Sequence, residues 1–178
     1  MKCETLNNDN DWSFKKDFLL YTILFIITSL GVYVCFILAG RTMLPDAPGN
    51  FDGFAQAFPV YSKINDQIEG LLNGKDLERW SWDVGLGAPF FDTFRSRLLN
   101  PITYLIIAFP DKYLDIAYSI FAVFRQFLAG VAFIAFSREI RLSNEQRVIG
   151  ALCYTFCGWI IYATCQQADF ISAVIIFP

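Results

Sequence analysis

No histidine occurs among the 178 residues. That absence removes Ser-His-Asp and Cys-His catalysis, histidine-ligated zinc and imidazole acid–base work from this chain. Any chemistry here falls to carboxylates, amides, hydroxyls, arginine and lysine. Charge is scarce as well: 17% of residues are Asp, Glu, Lys or Arg, against roughly a quarter in an ordinary soluble domain. Nor is there a disulfide framework. Cys3 lies in the N-terminal tail, whereas Cys35, Cys153, Cys157 and Cys165 lie in or at apolar segments and read as small packing residues. Cys153 and Cys157 fall on one face of an expected helix, but two thiols alone are too few for a metal site.

Apolar residues are what the chain has in quantity. With 55% hydrophobic residues and a mean hydropathy of +0.41, it reads as a membrane protein. Residues 18–38 carry no charge, and about 20 apolar residues at ~1.5 Å rise cross the ~30 Å hydrocarbon core. Lys15 and Lys16 ahead of this run imitate a signal peptide, but the run exceeds the roughly 7–15 residues of a signal's apolar region. A second span is expected at 116–136, interrupted only by Arg125 and Gln126, and a third at 148–165. Residues 170–178 are the start of another apolar segment still running at Pro178, so the chain reads as the N-terminal part of a larger membrane protein. The expected fold is all-α: polytopic transmembrane helices with a large, partly helical outer loop after the first span.

Lys2, Lys15 and Lys16 in the 1–17 tail place the N-terminus in the cytoplasm. The 137–147 connector, with Arg138, Arg141 and Arg147, reads as cytoplasmic too. The 39–97 loop then faces outward. Residues 98–110, with Pro101 and Pro110 near their ends, are too short to span and suit a re-entrant or interfacial helix capped by Asn100. Within the loop, Asp52 to about Leu72 has amphipathic helical spacing, with Phe54, Phe58, Tyr61 and Ile64 recurring at three- and four-residue steps. Asn73-Gly74-Lys75 is a turn signal. Trp80 and Trp82 suit a membrane–water interface, and Gly85 and Gly87 permit unusual backbone angles near a ligand or another helix.

Asp52 is followed by Gly53 and, one helical turn on, by Gln56. A carboxylate there could hold a divalent cation through oxygen or act as a general base beside a lipid headgroup; it also has the pattern of a helix N-cap. Arg125 in the middle of a span costs several kcal/mol unless paired or hydrated. It suits either a phosphate between helices or a structural pair with a carboxylate from a later part of the protein. Asp169 is either a second acid opposite Asp52 or a solvated loop acid. Basic residues with aromatics at an outward membrane face make no case for nucleic acid.

The order of these segments resembles a known family. Asp52-Gly53-Phe54-Ala55-Gln56-Ala57-Phe58-Pro59, then Trp80-Ser81-Trp82-Asp83-Val84-Gly85-Leu86-Gly87-Ala88-Pro89, Asn100-Pro101 and Leu128-Ala129-Gly130 look like the start of the bacterial YfhO-type multispanning membrane proteins. That resemblance implies a GT-C-like glycosyltransferase, moving sugar from a polyprenyl-phosphate donor to an extracytoplasmic acceptor such as teichoic acid. It implies Asp52 as the essential acid of the first outer loop. It further implies that the segment with Trp80, Trp82, Gly85 and Gly87 helps form the donor or acceptor cleft; Gln56, Arg125 and Asp169 are the further substrate-binding candidates from the residues themselves. The resemblance leaves metal use, sugar and acceptor open. A non-enzymatic transporter or flippase-like subunit, or a membrane scaffold, is the alternative.

Overall fold

A computed structural model describes residues 5–40, 42, 56–82, 86–176 and 178. The chain divides into two compact units. Unit 1 comprises Met1–Met43 and Ala122–Pro178; unit 2 comprises Leu44–Phe121.

The regular elements among the described residues of unit 1 are all helices. Helix α1 runs Thr5–Leu38, so it starts well ahead of the apolar run instead of following a separate tail. Its membrane-compatible part is Phe14–Leu38. The threonines inside that part return their hydroxyls to their own helix, Thr22 to the Phe18 carbonyl (2.7 Å) and Thr28 to the Leu24 carbonyl (2.8 Å), so neither leaves a bare donor facing lipid. Helix α5 (Leu114–Glu139) follows the short turn Asp111–Tyr113, and the combined Asp111–Glu139 stretch is long and apolar enough to cross. It stops where Arg141 takes φ +59° and Leu142 N–H donates back to the Ser137 carbonyl, a left-handed helix ending. Ser143 then caps α6 (Asn144–Thr155) in a reciprocal box with Gln146.

The third expected span, 148–165, is not one helix. It is α6 followed by α7 (Gly158–Gln166), bent by 45° at a break where Cys157 is extended (φ −66°, ψ 152°). Cys153 and Cys157 therefore do not share a helix face. A three-residue turn, Ala168–Phe170, leads into α8 (Ile171–Ile176).

One core of unit 1 joins Tyr21 and Phe25 to Ile134, Val148 and Ala151; another joins Ala129 to Ile160, Ala163 and Ile171. The approach of α1 and α6 to α5 depends on Gly130, where any Cβ would run into the Tyr21 ring and sit 2.8 Å from Thr155 Cγ2. Tyr21 uses the room to donate its hydroxyl to the Phe127 carbonyl (3.1 Å) and to stack on the Phe127 ring.

Unit 2 is folded around buried side chains of its own. Helix α2 (Phe58–Leu72) buries Tyr61 and Ile64, α3 (Phe90–Leu98) buries Phe90 and Phe94, and α4 (Pro101–Ile107) buries Ile102 and Ile106. Both α2 and α3 pack on α4. Asn100 accepts from Ile102 N–H (3.1 Å) and Pro101 occupies the first turn of α4. At seven residues α4 rises only about 10 Å, too little to cross a bilayer. Between α2 and α3 lies a two-stranded antiparallel hairpin, β1 (Trp80–Ser81) paired with β2 (Ala88–Pro89).

Gly130→Ala is expected to lower stability by about 1–3 kcal/mol, the usual cost of overpacking. Thermal unfolding in detergent should show it, and adding Tyr21→Phe should restore part of the loss by removing the hydroxyl that the new methyl meets first.

Candidate functional site

In unit 1 two neighbouring residues of α5, Arg125 and Gln126, make the polar contacts around the break. Arg125 is completely buried, and its Nη2 lies 3.0 Å from Asp169 Oδ1. The C-terminal end of α7 and the Ala168–Phe170 turn bring Asp169 there. Asp169 is thus neither a freely solvated loop acid nor a carboxylate set apart from Arg125. The pair that Arg125 requires lies within this chain. Next to it, Gln126 Nε2 donates to the Thr155 carbonyl (2.7 Å), one of the groups left without an intrahelical partner where α6 ends. Tyr33 donates its hydroxyl to Gln126 Oε1 (2.8 Å) and holds the amide in that orientation.

A second buried pair closes the other end. Arg147 lies 2.7 Å from Asp17 and also donates to the Leu142 carbonyl and the Asn144 amide oxygen. It brings the start of the α1 span and the start of α6 to one end of unit 1. Arg138 stacks over the Phe14 ring at the same end, 5.1 Å from its centroid. Sequence reasoning missed Asp17. The available signal was a lone acid directly behind Lys15 and Lys16 at the lip of an apolar run.

In unit 2 the hairpin gathers Trp80, Trp82 and Gly87. The indoles meet edge to face (5.8 Å between centroids). Gly87 has φ +101°, and a Cβ on it would lie 2.5 Å from Trp80 Nε1 and 2.9 Å from Trp82 Cε3. Glycine is therefore required there twice, for the left-handed backbone and for the indoles lying against it. Gln56 is exposed just ahead of α2. Asp52 and Gly85 lie outside the described residues.

A polar cleft of about 350 Å³ opens where α2 ends, lined by Lys63, Asp66, Gln67, Asn73, Lys75 and Glu78 among others. Lys63 and Glu78 bridge it at 3.0 Å, and Gln67 Oε1 accepts from Glu78 N–H. No aromatic ring lines it, so it offers a sugar no stacking platform. Among the described residues no group of three or more carboxylates or thiols is placed to hold a metal ion. The carboxylate considered for a divalent cation, Asp52, is not among them.

Two helices long and apolar enough to cross, a bent apolar helix pair after them and internally paired charges define a polytopic helical membrane protein, with a folded unit inserted between its first two spans. The chain belongs to the YfhO family: it matches the family described as bacterial membrane protein YfhO over residues 15–178. No curated protein and no solved structure matches it significantly.

Removing one partner of a buried pair leaves the other charge without compensation, at a cost of about 3–5 kcal/mol. Arg125→Met should therefore sharply lower the melting temperature in detergent. Arg125→Met combined with Asp169→Leu should recover most of the loss, because both charges are then gone.

Proposed function

We propose that this protein belongs to a membrane glycosyltransferase that moves a sugar from a polyprenyl-phosphate donor to an acceptor outside the bacterial cytoplasmic membrane, a cell-envelope polymer such as teichoic acid. The observation that carries the reading is the folded unit inserted between two spans of a YfhO family member, with an aromatic hairpin and a polar cleft on it. A GT-C-like enzyme needs such a unit, because its donor's phosphate sits at the lipid–water boundary while its acceptor comes from the aqueous side.

In this reading the N-terminus is cytoplasmic and unit 2 is extracytoplasmic. Lys15, Lys16 and the arginines of the 137–147 connector support that orientation by the excess of basic residues on cytoplasmic flanks. The Asp17–Arg147 pair supports it further, since both flanks lie at one end of unit 1. The acceptor hydroxyl attacks the anomeric carbon as the bond to the lipid phosphate breaks, with inversion. Asp52 takes the hydroxyl proton as general base, and Gln56 follows it in the same sequence motif. The leaving phosphate gains negative charge and needs a fixed cation. Arg125 serves that need only to the extent that Asp169 leaves its charge uncompensated; Arg95 and Arg97 at the end of α3 are the alternative. Trp80, Trp82, Gly85 and Gly87 form one wall of the donor or acceptor cleft.

A transporter needs polar groups lining a pathway through the bilayer. Among the described residues Arg125 is engaged with Asp169, and Gln126 with Thr155 and Tyr33. That engagement favours the enzyme.

In membranes carrying the full-length protein, Asp52→Asn should cut transfer of radiolabelled sugar from polyprenyl phosphate by roughly a hundredfold or more, the usual worth of a general base. Protein level and membrane insertion should stay unchanged. Undiminished transfer would remove Asp52 from the mechanism.

A further inference from the structure

The hairpin of unit 2 carries more apolar surface into solvent than a water-facing loop should. Trp82 is 75% exposed, Leu86 97% and Trp80 45%. The indoles form one patch, lying edge to face and both resting on Gly87, and Leu86 is the residue before that glycine. Positive φ at Gly87 and the Trp80–Pro89 and Ser81–Ala88 pairings hold the indoles together on one side of the hairpin. Unit 2 buries Phe90 and Phe94, whereas the two indoles stand outside, as do Phe91 and Tyr104 elsewhere on the unit. Contiguous exposed apolar side chains of this kind mark a surface that something covers.

We propose that the hairpin is a membrane-docking element, whose Trp80, Trp82 and Leu86 enter the headgroup and upper acyl region of the bilayer. Three observations select lipid as the occupant. Chain continuity is the first: unit 2 runs without interruption into the membrane, since the Asp111–Glu139 span begins inside it and α5 crosses the boundary between the units as one helix. Composition is the second. Indoles favour the boundary where an apolar ring and a polar N–H are both accommodated, and Leu86 supplies an aliphatic side chain for the deeper layer. The third is charge: Arg79, exposed and next in the chain to Trp80, is suited to bond a lipid phosphate while its stem lies along the acyl boundary. Docking does not rest on sugar transfer; it holds for any activity of the protein. If the transferase reading is also right, the hairpin brings the site to the depth at which a lipid-linked phosphate arrives.

The test uses full-length protein in phosphatidylcholine–phosphatidylglycerol vesicles, with the phosphatidylcholine acyl chains brominated either near the carbonyl end or near the chain terminus. Emission of the hairpin tryptophans is taken as the difference between wild type and Trp80→Phe/Trp82→Phe, which keeps apolar rings at both positions. Shallow bromine should quench roughly half of that difference emission and terminal bromine much less, as interfacial indoles require. Aqueous iodide should quench little of it. Leu86→Asp should at least halve the shallow quenching without shifting the melting temperature. Strong iodide quenching with none by bromolipid would place the hairpin in water and overturn the proposal. Protection from both quenchers would overturn it too, by showing that another segment or a protein partner covers the patch.

Discussion

A bilayer gives polar groups no solvent, so everything polar within unit 1 has to be met by the protein itself. The rest of that unit is arranged around this constraint. Helix α6 ends at Thr155 in the middle of an apolar stretch and frees carbonyls that lipid cannot satisfy. Gln126 reaches across from α5 to take one of them, and Tyr33 of α1 secures the amide. Beside it, Arg125 and Asp169 neutralise each other. Three segments that share little sequence character, α1, α5 and the α6–α7 break, are thereby tied at one level.

The second tie, Asp17 to Arg147, repeats the logic at the opposite end of α1's packed length. Between the two ties the packing is aromatic and small-residue: Tyr21 and Phe25 against Phe127, with Gly130 making room. In the proposed reading the chemistry falls to the inserted unit, where a polar cleft and an aromatic hairpin are both exposed.

How much of this was legible in the sequence depends on how local each signal is. The first two spans announce themselves as long charge-poor runs. Asn100-Pro101 announces α4, because cap and first-turn proline are adjacent in the chain. The break at Phe156–Cys157 was not legible. Residues on both sides of it are equally apolar, and Gly158 alone does not distinguish a kink from a straight span. Nor was the Arg125–Asp169 pair, since an arginine in a span declares only that a partner is needed, and the partner lies beyond a turn that sequence does not position. The hairpin escaped notice because its strands are two residues long, too short for alternation to register. Trp80, Trp82 and Gly87 were nevertheless singled out together on their chemistry, and they do meet. Ser143 with Gln146 three residues on is the local signature of the capping box that starts α6.

The central claim is that the inserted unit serves sugar transfer onto the cell envelope. Its most direct test is the sugar composition of purified envelope polymers from cells with and without the full-length protein, resolved by mass spectrometry. The account predicts that one sugar substituent disappears on deletion and returns when the gene is restored. Identical composition in the two strains, with the protein shown to be expressed in the parent, would contradict it.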